Sequence, residues 1–214
     1  AGCGRMTLPE GVERHTFDGT ARLATRGEPV YGEPTDGEWR AWNPHRSKLG
    51  AMLELGLDTG LTGGETVLYL GAAAGTTASH VADFAGPTYA VEFAPRPARD
   101  LLDVAASREN LFPLLKDARK PETYAHVVES GLDCIVQDVA TRGQGTVALR
   151  NNRFLAPDGR LLAAIKARSE DVLSDPADVF PDVLADLRTE YEILDTQRLD
   201  RYHDDHLAVV ATPK

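Results

Sequence analysis

This 214-residue sequence predicts an α/β fold, a doubly wound sheet preceded by a small β appendage. Three observations carry that expectation. From residue 67 onward, β-like apolar runs alternate with helical stretches, the pattern of strands and helices wound in turn about one sheet. The first of these runs passes directly into Gly71-Ala72-Ala73-Ala74-Gly75, a turn of small residues that lets backbone approach a ligand. Before residue 47 the pattern differs: a two-residue hairpin signal, Asp18-Gly19, is followed by chain breaks at Pro29, Gly32, Pro34 and Gly37. Residues 1–46 therefore read as a small, mostly β domain, and residues 47–214 as the main α/β domain.

In the appendage, the runs 12–17 and 20–25 flank Asp18-Gly19 and suit a type I′ hairpin. Ser47 is the N-cap candidate for a helix over 48–55. Strands are then expected at 67–70, 88–93, 111–115, 132–138, 161–166, 191–196 and 207–211. The helices between them are expected at 77–84, 96–107, 122–129, 146–155 and 177–188, the first capped by Thr76 or Thr77. No internal repeat or low-complexity tract interrupts the series.

Composition bounds what such a fold can be. With 42% hydrophobic and 26% charged residues the chain can bury a sizeable core. No apolar run approaches the roughly 18–20 residues that span a bilayer, and no signal-peptide core opens the chain, which predicts a soluble, cytoplasmic protein without membrane partners. Cys3 and Cys134 lie far apart without metal-ligand spacing, so neither a disulfide scaffold nor a metal centre is expected.

The charge balance is unusual. Lys+Arg is 23 against Asp+Glu 33, a formal net charge of −10, and lysine occurs only at Lys48, Lys116, Lys120, Lys166 and Lys214. Such acidity argues against nucleic-acid binding in dilute salt, because phosphate contacts need local positive charge. An acidic, lysine-poor surface is also what keeps a protein soluble at very high salt, where the Debye length shrinks to about 3 Å and bulk charge repels RNA far less. The melting temperature is accordingly expected to rise from low salt to molar KCl. A flat or falling series of thermal melts would leave the surplus acid unexplained.

The chemistry-bearing residues collect at strand ends. Glu92 closes the second strand 21 positions after Gly71, the spacing at which an acid holds the ribose diol of a nucleotide cofactor. The glycine pattern alone would equally serve a plain strand-to-helix turn. Asp117 follows the third strand and Asp138 closes the fourth. One acid in such a place is commonly a solvated rim residue, but three on successive strand ends favour a ligand crevice. Lys166 brings a cation to the same edge, although a single lysine there is usually a snorkelled strand end.

Longer motifs carry a family resemblance. Ala41-Trp42-Asn43-Pro44-His45-Arg46-Ser47-Lys48-Leu49 and Leu68-Tyr69-Leu70-Gly71-Ala72-Ala73-Ala74-Gly75-Thr76-Thr77-Ala78-Ser79-His80-Val81 resemble two conserved segments of fibrillarin. Tyr89-Ala90-Val91-Glu92-Phe93, Lys116-Asp117-Ala118-Arg119, Gln137-Asp138-Val139-Ala140, Ile165-Lys166-Ala167 and Asp205-His206-Leu207-Ala208-Val209-Val210 follow in family order. The likeness covers nearly the whole chain and points to the archaeal fibrillarin-like RNA 2′-O-methyltransferases of a salt-loving species.

The resemblance implies a Rossmann-like, S-adenosylmethionine-dependent methyltransferase fold with six parallel strands and one antiparallel strand. It implies that Gly71, Ala73, Thr76 and Thr77 lie along the cofactor, the two threonines near its methionine part. Glu92 would hold the ribose hydroxyls, Phe93 would pack on the adenine, and Asp117 and Ala118 would line its edge. Asp138, Val139, Ala140 and Thr141 would complete the cofactor contacts. Lys48, Asp138, Lys166 and His206 match the family's catalytic Lys-Asp-Lys-His group. His203 matches no motif and is expected at the surface. Two departures stand out: Thr141 replaces the family's usual glutamine, and the turn Gly86-Pro87-Thr88-Tyr89 is shorter than usual.

The partners implied are a box C/D guide RNA, the target rRNA or tRNA, a Nop-domain scaffold protein and a kink-turn-binding ribosomal-type protein. Guide pairing would then supply specificity, which suits a chain without an RNA-reading module of its own. Two other readings are open to the residues alone: a nucleotide-cofactor oxidoreductase, which would leave Asp117 and Asp138 unexplained, and a non-catalytic particle subunit, which would leave the four catalytic-type residues unexplained.

Overall fold

The computed structural model describes residues 7–214, so Cys3 lies outside the described residues, and Cys134 is a buried free thiol. Two strands, β1 (Val12–Phe17) and β2 (Thr20–Arg26), pair antiparallel around Asp18-Gly19. Their turn residues have φ of 48° and 78°, both positive as a type I′ turn requires. With β3 (Thr35–Asp36) and β4 (Trp39–Ala41) they form a sheet of order β1-β2-β4-β3. Helix α1 (Lys48–Leu55) follows, with the Ser47 hydroxyl accepting from the Gly50 N–H at 3.0 Å and Gly56 closing it at φ 85°.

The main sheet begins with β5 (Val67–Leu70), α2 (Thr76–Phe84), β6 (Thr88–Glu92), α3 (Pro95–Ala105) and β7 (Leu111–Leu115). The chain then crosses back through β8 (Leu132–Gln137), α4 (Gln144–Asn151), β9 (Leu155–Lys166), α5 (Ala167–Glu170) and α6 (Pro176–Leu187), ending in β10 (Tyr191–Arg198) and β11 (His206–Pro213). Strand order is β10-β11-β9-β8-β5-β6-β7, with β11 running antiparallel to both neighbours. The strand order reverses between β5 and β8, the switch point at which such sheets open a crevice at their carboxyl ends.

Three local expectations fail. Residues 122–129 form no helix, only a 3₁₀ turn at Pro121–Thr123 and further turns. The buried Tyr124 anchors this connection instead, its hydroxyl donating to Asn151 Oδ1 at 2.5 Å. The helix expected at 146–155 runs from 144 to 151, and β9 starts at Leu155, six residues before the expected strand. Pro157, Asp158 and Gly159 are absorbed in an irregularity where Leu132 pairs with Leu155 but Cys134 with Arg160. Finally, Gly75 rather than a threonine caps α2, at φ 88° and without a side-chain bond.

Alternate strand residues divide between two cores. Val67 and Tyr69 face the layer of α1, α2 and α3, while Leu68 and Leu70 face the layer of α4 and α6. The N-terminal sheet keeps only Phe17, Ala24 and Ala41 as its own buried cluster, and lends Val12, Leu23 and the flanking Trp42 to the first core.

A buried ionic joint welds that sheet to α2. The Arg40 side chain has no solvent exposure and reaches Glu33 Oε1 at 2.5 Å, Asp83 Oδ2 at 2.7 Å and Ser79 Oγ at 2.8 Å. Asp83 also takes the Thr25 hydroxyl at 2.7 Å and faces Arg108 Nε at 3.3 Å. His80 lies stacked on Trp42 with ring centroids 4.9 Å apart, its Nδ1 at 2.7 Å from Thr25 Oγ1 and its Nε2 at 2.9 Å from the Tyr31 hydroxyl. Since the Thr25 proton is used on Asp83, His80 Nδ1 donates to Thr25, which leaves Nε2 facing a Tyr31 hydroxyl that also lies 3.1 Å from the Ala41 carbonyl.

Candidate functional site

Along the carboxyl edge, spatial strand order carries His206 on β11, Lys166 on β9, Asp138 after β8, Gly71 after β5, Glu92 on β6 and Asp117 after β7. A cleft of about 380 Å³ opens over the second half of that series, within the size range of small-molecule sites. Gly71, Ala73, Glu92, Phe93, Asp117, Ala118, Asp138, Val139, Ala140 and Thr141 all line it. Thr76 and Thr77 do not; they begin α2 beyond the turn, with Thr77 buried beside the Tyr69 phenol.

The floor is set by a close approach. Gly71 has φ 83°, and a Cβ there would lie 2.2 Å from the Asp138 carbonyl oxygen, so no other residue fits the switch point without moving β8. Asp138 N–H donates to Leu70 O at 2.9 Å, which ties the two strand ends together. Ala73 takes φ 48°, an unusual conformation for alanine, and its N–H donates to Glu92 Oε2 at 2.8 Å. The other Glu92 oxygen accepts the Ala94 N–H at 2.7 Å, so this carboxylate is held facing the glycine turn.

Next along the edge, the Phe93 ring is 62% exposed, with the Arg119 guanidinium 5.8 Å from its centroid. Hydrogen bonds from Arg119 hold the Asp117 carboxyl below the usual carboxylate range, the pair closing to 2.8 Å. Arg119 is a cleft residue that sequence spacing did not single out; a basic residue two positions after an acid carries no signal of its own.

On the other half, Lys48 Nζ stands 2.9 Å from Asp138 Oδ2, with 27% and 23% of the two side chains exposed. Register pairs His206 directly with Lys166 across β11 and β9. All four residues expected to form a catalytic group therefore converge on three adjacent strand ends and the start of α1. His206 Nδ1 lies 2.7 Å from the Asp204 carbonyl, which can only accept, so Nδ1 carries the proton and the neutral ring keeps its lone pair on Nε2. Burial, reinforced by the Lys48 charge, lowers the His206 pKa and favours that neutral form.

His203 is not the surface residue expected. It is half-buried, its Nε2 donates to the Pro44 carbonyl at 2.7 Å, and its ring lies 5.8 Å from that of His206. It pins the segment leading into α1 against the loop leading into β11. Burial holds His203 below the ordinary histidine range, and burial pushes His80 well below it. The unfolded chain would bind protons near the ordinary histidine value of 6.5 while these folded groups resist, so stability is expected to fall as pH drops below about 6.5. Melting temperatures that stay level between pH 7.5 and 5.5 in molar KCl would contradict this.

Glu92→Ala is expected to weaken adenosyl-cofactor binding at least about tenfold in calorimetry, since a hydrogen bond to a charged group is worth about 1.5–3 kcal/mol. Unchanged affinity would mean that Glu92 does not hold the cofactor.

Comparison with known proteins places this geometry. The family model described as Fibrillarin matches residues 11–214. A fibrillarin-like rRNA/tRNA 2'-O-methyltransferase of Haloarcula marismortui is 73% identical over 209 residues, covering 98% of this chain and 99% of that protein. A chain of the crystallised fibrillarin/Nop5p complex aligns with TM-score 0.89 at 38% identity, covering 97% of this chain and 99% of that one. Aeropyrum pernix fibrillarin with natively bound S-adenosyl-L-methionine aligns with TM-score 0.79 at 43% identity, covering 94% and 97%.

Proposed function

This chain belongs to the fibrillarin family, and from that premise we propose that it methylates the ribose 2′-hydroxyl of rRNA and tRNA with S-adenosylmethionine. The observation that carries the reading is the Lys48–Asp138 ion pair beside the Lys166–His206 strand pair, at the lip of the cleft that Glu92 closes.

The cleft fits the cofactor on its own features. Glu92 presents a fixed carboxylate for a ribose diol, and Phe93 with Ala118 offers an apolar surface for the adenine, edged by Asp117. The first turn of α2 has no side-chain cap, which leaves N–H groups for the methionine carboxylate near Thr76 and Thr77. Gly71, Ala73, Val139, Ala140 and Thr141 wall the middle. When bound, S-adenosylmethionine supplies a methyl group already activated by the sulfonium.

The protein's own residues then have two tasks, orienting a weak nucleophile and removing one proton. Asp138 accepts the hydrogen bond of the incoming 2′-hydroxyl, and Lys48 holds that carboxylate at the cleft edge. Lys166 donates to the hydroxyl oxygen and stabilises the charge that develops on it. His206, neutral with its Nε2 lone pair available, either receives the proton or orients Lys166 across the strand pair.

Guide RNA, target RNA, a Nop-domain scaffold and a kink-turn-binding protein complete the working particle in this proposal, with the cytoplasm as its place. The fibrillarin/Nop5p complex among the similar structures supports the scaffold partner. Among the described residues no helix is long and apolar enough to cross a membrane. Methyl transfer by the reconstituted particle, with matched and mismatched guides, tests the whole reading: modification should follow the matched guide alone.

A further inference from the structure

Lys166 ends β9, and its backbone N–H and C=O are both held by one side chain. Gln144 Oε1 accepts the Lys166 N–H at 2.9 Å, and Gln144 Nε2 donates to the Lys166 carbonyl at 3.0 Å. The same Nε2 donates to Glu170 Oε1 at 2.9 Å. That carboxylate also takes the N–H groups of Gln144 at 2.7 Å and Gly143 at 2.9 Å, so the amide is itself held in place. The Gln144 carbonyl meanwhile accepts from Gln137 Nε2 at 2.9 Å, and Gln137 is the residue just before Asp138.

Gln144 is fully buried, makes no part of the cleft lining, and sits where the β8–α4 loop folds back over two strand ends. A buried amide is costly unless its donors and its acceptor are used, and here the oxygen takes the Lys166 N–H while the nitrogen donates to the Lys166 carbonyl and to Glu170. We propose that Gln144, oriented by Glu170, is a positioning residue that fixes Lys166 relative to Asp138. This inference rests on the role given to Lys166 above. Its physical content is that a displacement on the order of 1 Å at a reacting group can cost about a hundredfold in rate.

The test is a double-mutant cycle in the reconstituted particle, read by single-turnover methylation at saturating cofactor. Gln144→Met keeps the volume and removes both hydrogen bonds to the Lys166 backbone; the rate is expected to fall about 10–100-fold, the scale of a mispositioned group. In a Lys166→Ala background the same change is expected to cost no more than about twofold, because a residue acting through Lys166 has nothing left to position. Cofactor affinity, measured by calorimetry, should move by no more than about the same factor. Glu170→Gln, a milder change that retains an acceptor, should give a smaller loss of the same kind and serves if Gln144→Met does not fold. Hydrogen exchange at the Lys166 amide should quicken in each variant, a readout independent of methylation.

An equal loss in both backgrounds, a matching loss of cofactor affinity, or unchanged exchange at Lys166 would overturn the positioning role. Full activity of Lys166→Ala alone would instead overturn the role of the lysine itself, and the positioning role with it.

Discussion

Asp138→Ala and Lys166→Ala are each expected to cut single-turnover methylation by about 10²–10⁴-fold, the scale of a positioned acid–base group. Asp138 bears a close ion pair at 2.9 Å and stands at the switch point of the sheet, where it serves both the cofactor cleft and the incoming hydroxyl. Its removal should therefore weaken cofactor binding as well as the rate. Lys166 lies one strand further out and is not among the cleft-lining residues, so its loss should spare cofactor affinity. His206→Ala separates two roles for the imidazole: a loss as large as that of Asp138→Ala marks proton transfer, and a mild one marks orientation. The measurement needs guide RNA, target RNA and the docking protein, since the cleft alone does not place a ribose. Near wild-type rates for Lys166→Ala in that particle would remove Lys166 from the reaction, and the same result for Asp138→Ala would overturn the catalytic assignment.

Arg40→Met is expected to cost about 3–5 kcal/mol of stability, the usual penalty for breaking a buried ion network from one side. Arg40 is fully buried between Glu33 and Asp83, with Arg108 as the remaining cation. Without it two buried carboxylates face a single guanidinium, itself 3.3 Å from Asp83. For a domain of this size the loss corresponds to a fall in melting temperature of about 6–20 °C. Molar KCl should not rescue it, because buried pairs are screened much less than surface charge. Arg14, paired with Glu54 at the surface at 3.0 Å, is the control whose removal should change little. A loss below about 1 kcal/mol for Arg40→Met would mean that water reaches the joint between the N-terminal sheet and α2.

Much of this architecture was legible residue by residue. Asp18-Gly19 specified its hairpin because a type I′ turn needs two positive φ angles, and Asn, Asp and Gly meet that need at least strain. Ser47 specified the start of α1 because its hydroxyl can reach an orphan N–H three residues on. Glu92 could be placed opposite the glycine turn because the length of a β-α-β unit sets the spacing from Gly71. The segment 122–129 was misread because a helical apolar pattern does not reveal that Tyr124 will be drawn down onto Asn151. The start of β9 was misplaced for a similar reason: Pro157 and Gly159 signal a break, and only the neighbouring strand decides that the break is a bulge.

The sequence by itself determined the order of the strands and of most helices, the hairpin, the Ser47 cap, the acid at the end of β6 and the family to which the chain is similar. Those features depend on local conformational preference and on spacing along the chain, which sequence records directly. Only the tertiary structure decided that Lys48 meets Asp138, that His206 stands opposite Lys166, that His203 grips Pro44 and that Gln144 clasps the backbone of Lys166. Each of these contacts depends on strand register and on crossovers that bring together residues from 22 to 159 positions apart. Pairing of that kind is set by how the two cores pack against the sheet.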